Sequence, residues 1–155
     1  MNRLDWSEAR ARDIIARHQT REGALLPILH DLQDAFGCVP EAATPLIAQM
    51  LNLSRAEVHG VITFYHDFRR EKPGRSVLKL CRAEACQSVG GEDVAAAVQE
   101  RLGIGFGETT PDGQVTLDAV YCLGLCACAP AAMWNGDVIG RVESRTIHAL
   151  LDGKR

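Results

Sequence analysis

Long hydrophobic runs are missing from this chain. No apolar stretch approaches the roughly 20 residues of a membrane-spanning helix, so no membrane span is expected. An excess of positive charge is missing too: 17 Lys and Arg stand against 20 Asp and Glu, a formal net charge of −3. Phosphate recognition demands a concentrated basic face, so this balance argues against nucleic acid as a partner. The opening MNRLDWSEARARDIIARH is charged throughout and has no apolar secretory core, which predicts a cytoplasmic location. No C-x-x-C occurs, which argues against a thiol–disulfide oxidoreductase. Internal repeats and low-complexity segments are also missing.

What is present is enough apolar material for a packed core, 46% of 155 residues. Six cysteines accompany it. In a reducing compartment that number favours metal or redox chemistry over a disulfide framework.

The pattern changes near RREKPG, residues 69–74. Residues 1–74 read as a helical region with four helices. Ala11, Ile14, Ile15 and His18 share one face of the first. Leu25, Ile28, Leu29, Leu32 and Phe36 form a 3.6-period stripe in the second, stopped by Gly37. The third is expected from Pro40 to Leu51, with Ala43, Leu46, Ile47, Met50 and Leu51 inward and Pro45 confined to its first turn. Ser54 and Glu57 form a capping-box signature that opens the fourth, with Val58, Val61, Ile62 and Tyr65 inward.

Residues 75–155 alternate short apolar runs with turns. Val77–Leu80 reads as a strand ending at Cys81. Val94, Ala95, Val98 and Leu102 form a helical face stopped by Gly103, and Val115–Tyr121 a strand ending at Cys122. Asn135-Gly136 is a hairpin signal whose second strand is expected over Val138–Val142. Ile147, Leu150 and Leu151 mark a last short helix. The fold class is α+β: an N-terminal helical bundle, then an α/β domain with a small mixed sheet and helices packed on it.

Both cysteine pairs sit where a strand gives way to a loop: Cys81 and Cys86 as C-x4-C, Cys122 and Cys126 as C-x3-C. Neighbouring strands would bring them to one edge. Four thiolates in reach of one site fit zinc or an iron–sulfur cluster. Val89, Leu123, Leu125, Ala127, Ala129 and Pro130 offer apolar surroundings, while Gly90, Gly91 and Gly124 leave amides uncovered. A [2Fe–2S] cluster with four thiolates sums formally to about −2, and about −3 when reduced. Amide donors and a helix N-terminus near Glu92 suit such an anion. Cys38, in FGCVP, reads as buried packing. Cys128 is near enough to the second pair to compete as a ligand.

LLPILHDLQDAFGCVP, LSRAEVHGVITFYHDF, CRAEACQSVGG and YCLGLCACAPAAMWNGDVIG together resemble the thioredoxin-like [2Fe–2S] ferredoxin family. This family includes the 24-kDa-type subunit of complex I, subunits of NAD-linked hydrogenases and the gamma subunit of NAD-dependent formate dehydrogenase. CRAEACQSVG and TFYHDFR look most like the last. The resemblance implies a thioredoxin-like domain over 75–155 that carries one [2Fe–2S] cluster on Cys81, Cys86, Cys122 and Cys126, with Cys128 outside the ligand set. It implies no catalytic residue and no substrate site in this chain. It implies an electron-transfer subunit of an oxidoreductase whose partners are an FMN- and NAD-binding flavoprotein subunit and, through it, a large formate dehydrogenase subunit. FMN, NAD, further Fe–S clusters and a molybdenum cofactor would belong to those partners. The equivalent complex I or hydrogenase subunit is the alternative, and a zinc-stabilised interaction module the alternative of a different class. The helices of 1–74 would dock on the flavin subunit, with Trp6, Phe36, Phe64 and Tyr65 either anchors there or core. His59 and His66, seven apart, would share a helix face as ordinary polar surface, with a metal pair as the sharper option.

Overall fold

The structure, a computed structural model, describes residues 5–153. The chain divides into two compact units, Met1–Lys72 and Pro73–Arg155.

The first unit packs four helices around one apolar cluster. Helix α1 (Glu8–His18) is capped by Ser7, whose hydroxyl accepts the Arg10 N–H. Its buried face is Ala11, Ile14 and Ile15. Helix α2 (Leu25–Phe36) buries Ile28, Leu29, Leu32 and Phe36 and stops at Gly37, where φ is +83°. Burying each such side chain contributes about 1.5–3 kcal/mol.

Helix α3 (Ala43–Leu51) begins three residues later than the sequence suggests. Tight turn bonds precede it: the N–H groups of Ala43 and Thr44 reach the carbonyls of Pro40 and Glu41. Pro45 then occupies the third helical position, where a missing N–H has no partner to lose. Its buried residues are Ala43, Leu46, Ile47 and Ala48, while Met50 and Leu51 are only partly covered.

Helix α4 (Arg55–Phe64) opens on a complete capping box: the Ser54 hydroxyl accepts the Glu57 N–H at 3.1 Å, and the Glu57 carboxylate accepts the Ser54 N–H at 2.8 Å. Val58 and Ile62 are buried. Tyr65 is not: it lies past the helix end with extended backbone and is exposed. The chain turns there, the Phe68 N–H bonds the Tyr65 carbonyl, and Phe68 fills the core instead. The Gln33 side chain holds this turn, accepting the Arg69 N–H and donating to the Asp67 carbonyl. His66 therefore lies outside α4, and it and His59 do not share a helix face. Phe36 is fully buried, with Trp6 tilted against it at 5.2 Å, while Phe64 is exposed.

The second unit is a five-stranded mixed sheet in the order β2-β3-β1-β4-β5. The strands are β1 (Ser76–Cys81), β2 (Glu108–Thr109), β3 (Val115–Val120), β4 (Ala132–Trp134) and β5 (Asp137–Ile139). β1 and β3 are parallel; every other neighbouring pair is antiparallel. The pleat sends alternate residues to one face, so Leu78 and Leu80 of β1 meet Val115 and Leu117 of β3 and Ala132 of β4. Val94, Ala95 and Val98 of α6 (Gly91–Leu102) and Ile147 of α7 (Ser144–Leu151) belong to the same cluster.

In the second unit, a short helix, β2 and the end of the hairpin differ from the sequence reading. A four-residue helix, α5 (Glu84–Gln87), lies between the first two cysteines, and β2 adds a two-residue edge. Both are too short for periodicity to register. The hairpin turns at Asn135 and Gly136, both at positive φ as a primed turn requires. Its second strand ends at Ile139, however, because the chain then pairs elsewhere: the N–H groups of Arg141 and Val142 bond the carbonyls of Cys128 and Pro130.

Candidate functional site

The parallel pair β1 and β3 builds the site. Cys81 is the last residue of β1, and its Cα partner is Val120, the last residue of β3. The Arg82 N–H bonds the Val120 carbonyl at 2.8 Å and the Cys81 N–H bonds the Ala131 carbonyl at 3.0 Å, so three chain segments meet at this edge.

From Cys81 the chain enters α5, which places Cys86 in the interior. Gly90, at φ +91°, reverses the chain into α6. Gly91 then passes so close that a Cβ on it would sit 2.5 Å from the Cys86 carbonyl oxygen. The two glycines thus do different jobs: one supplies a left-handed turn, the other a close approach.

From Val120 the chain reaches Cys122 at φ +134°, a backbone conformation that L residues rarely adopt. Such outliers cluster at functional sites. Gly124, at φ +75°, turns the loop, and its N–H lies 3.3 Å from the Cys122 Sγ. A 3-10 turn over Cys126–Cys128 follows.

All six cysteines are free thiols, and those at this edge are unequal. Cys81 and Cys86 are buried, while Cys122 and Cys126 are exposed. Burial pushes the Cys86 thiol up first, its hydrogen bond with Cys81 adds to this, and the Ala131 N–H pulls the other way. Cys126 is pushed up chiefly by its hydrogen bond with Cys122 and by that neighbour's charge, with Cys81 and burial adding to it. Cys86 thus has Cys81 and Cys126 among its neighbours, and Cys126 has Cys122 and Cys81 among its own. Among the described residues no three His, Cys, Asp or Glu side chains gather tightly enough to hold a single metal ion. Cys128 packs instead against Gly140, where an added Cβ would lie 2.7 Å from its own. Cys38 is buried in the first unit.

The surroundings are partly apolar. Ala83, Val120, Leu123, Leu125, Ala129 and Ala131 cluster with Cys81 and Cys86. Val89, past the end of α5, and Ala127, in the 3-10 turn, both expected to join them, are exposed. The N-terminus of α6 carries its own acids, Glu92 and Asp93, so its positive end is already partly neutralised. The Ala131 amide, aimed at Cys86, comes from the segment leading into β4; no spacing in the sequence signals it.

This donor set fits a [2Fe–2S] cluster: four thiols in two pairs, backbone N–H groups directed at sulfur, and an apolar lining on one side. No helix among the described residues is long and apolar enough to cross a membrane.

Comparison with known proteins agrees with this chemistry. Residues 11–155 match the thioredoxin-like [2Fe-2S] ferredoxin family. One of the NADH-quinone oxidoreductase subunits of Pseudomonas aeruginosa is 37% identical over 135 residues, covering 87% of this chain and 81% of that protein. The NADP-reducing hydrogenase subunit HndA of Solidesulfovibrio fructosivorans is 34% identical over 131 residues, covering 84% and 77%. In a crystal structure of an NAD+-reducing [NiFe]-hydrogenase in the air-oxidized state, one chain superposes with a TM-score of 0.74 at 25% identity. That match covers 89% of this chain but only 24% of the hydrogenase chain. The chain belongs to the thioredoxin-like [2Fe-2S] ferredoxin family.

Proposed function

We propose that this chain is an electron-transfer subunit of an NAD(P)-linked oxidoreductase complex, holding one [2Fe–2S] cluster on Cys81, Cys86, Cys122 and Cys126. The observation that supports it most is the delivery of four thiols, in two pairs, to the ends of two adjacent parallel strands. When bound, the cluster supplies a one-electron acceptor and donor.

The residues of the chain do the rest. Cys81 and Cys86 would hold the inner side, where Ala83, Leu123, Leu125 and Ala129 keep water away. Cys122 and Cys126 would hold the outer side, where exposure shortens the path to a partner. The Gly124 and Ala131 amides stabilise negative charge on sulfur, which raises the potential relative to bare thiolates. No catalytic side chain is assigned.

The partner would be a subunit that binds FMN and NAD, where two-electron hydride chemistry is split into single electrons. Phe64 and Tyr65, exposed on the first unit and stacked edge to face at 5.1 Å, are the aromatic pair offered for docking there. Phe36 is withdrawn from that role by its burial.

The reaction partner is read more finely from CRAEACQSVG and TFYHDFR, which resemble formate dehydrogenase gamma subunits. The relatives named above belong to a quinone-linked oxidoreductase and to a hydrogenase, and they support the NAD(P)-linked class without choosing formate. The deciding experiment isolates the native complex, identifies its subunits by mass, and asks which of formate, hydrogen and NADH bleaches the cluster's visible absorption. Bleaching by NADH together with formate supports the formate assignment. Bleaching by NADH but not formate moves the chain to the alternative complexes, and bleaching by none contradicts the electron-transfer role.

A further inference from the structure

Arg82 follows Cys81 directly, and its side chain is held from several sides. Its Nη2 lies 2.7 Å from both carboxylate oxygens of Glu92, in the first turn of α6. Its guanidinium stacks over the Phe106 ring at 4.9 Å. Its backbone carbonyl accepts from the Gln87 side chain at 2.8 Å, and its Nε is buried without a hydrogen-bond partner. Arg82 and Glu92 bracket the segment that carries α5 and Cys86, so their ion pair closes that segment into a ring. An ordinary solvated loop arginine makes none of these enclosures.

We propose that Arg82 is the positioning residue of the Cys86 loop, clasping it through Glu92 and Phe106, and that the Arg82–Glu92 pair balances charge beside the thiol site. Arg82 acts in two ways. Mechanically, the clasp and the Gly91 approach hold α5, a single turn too short to be stable alone, against the sheet edge. Electrostatically, the arginine cancels Glu92. Removing either member leaves the other's charge unbalanced, one residue from Cys81 or in the first turn of α6, near a site that would be negative when loaded. The charge-balance half rests on the [2Fe–2S] reading; the mechanical half does not.

The test uses the full chain with Arg82→Ala, Glu92→Gln and the rescue variant Arg82→Lys. In cluster-free protein, hydrogen–deuterium exchange is read at Gln87 and Ser88, whose N–H groups close α5 on the Ala83 and Glu84 carbonyls. Amides of α3 serve as the reference. Exchange should quicken roughly two- to five-fold in Arg82→Ala and Glu92→Gln, the range that losing a partly exposed ion pair allows, and less in Arg82→Lys. In reconstituted protein the reduction potential should fall in Arg82→Ala, rise in Glu92→Gln and stay near wild type in Arg82→Lys. A purely structural role loosens the loop in both variants and cannot separate the potentials in sign. Unchanged exchange in both variants, or potentials that fail to separate in sign, overturns the proposal. If the wild-type chain takes up no cluster, the [2Fe–2S] reading falls, while the exchange measurement still decides the clasp.

Discussion

Cys81 on β1 and Val120 on β3 face each other as Cα partners in parallel register. The chain leaves both strands at one level, and Cys122 emerges two positions beyond Val120. The two cysteine pairs are thereby brought to one edge of the sheet by backbone register.

If register delivers the ligands, each is individually required. Serine at Cys81, Cys86, Cys122 or Cys126 should abolish or alter the cluster spectrum. Serine at Cys128 should leave it unchanged, because that side chain packs on Gly140. Visible and paramagnetic resonance spectra of the five variants check this. A normal spectrum in Cys122→Ser, or loss in Cys128→Ser, would redraw the ligand set.

Gly91→Ala places a methyl group against backbone atoms of Cys86, which cannot swing aside. It should destabilise the second unit by about 1–3 kcal/mol, as overpacking does, and lower iron content per chain. Denaturant unfolding with iron analysis measures both. Wild-type stability together with full iron content would show that the close approach is dispensable.

Leu117 is fully buried on β3 and belongs to the cluster beneath the site. Leu117→Ala should cost about 2–5 kcal/mol. The loss should appear in the second unit, read by hydrogen exchange in β1 and β3.

The capping box of α4 gives a pH dependence with a definite sign. The Ser54 N–H, then its hydroxyl, hold the Glu57 carboxyl below the usual range. A carboxylate depressed in the folded state stabilises above its unfolded pKa and loses that contribution as pH falls through the folded value. Glu57→Gln should therefore weaken the protein at neutral pH and converge with wild type in acid. Ser54→Ala removes the cap outright and should cost about 1 kcal/mol. Both are read from unfolding curves across pH.

Much of this was legible where one residue type has one physical use. Gly37 ends α2, Ser54 with Glu57 opens α4, and Asn135-Gly136 turns the hairpin. The apolar stripes of α1 and α2 point inward as their spacing requires. What escaped was set by the path of the chain between elements. Tyr65 continues the period of α4, but the helix stops before it, and Phe68, off that period, takes the core position. The extended strand foreseen over Val138–Val142 is cut at Ile139 by pairing with the segment around Cys128, a contact of low sequence visibility. At the site, the cysteines and glycines could be seen, but the φ of Cys122, the Ala131 amide and the hold of Glu92 on Arg82 arise only when distant segments meet.

That four thiols at this edge hold a [2Fe–2S] cluster is the proposal on which the electron-transfer role depends. Its most direct test is an anaerobic visible and paramagnetic resonance spectrum of the purified chain, before and after dithionite, with iron and acid-labile sulfide counted. The expected result is a red-brown protein with about two irons and two sulfides per chain and a half-spin signal only after reduction. A colourless protein holding one zinc, with no signal in either state, would contradict the claim.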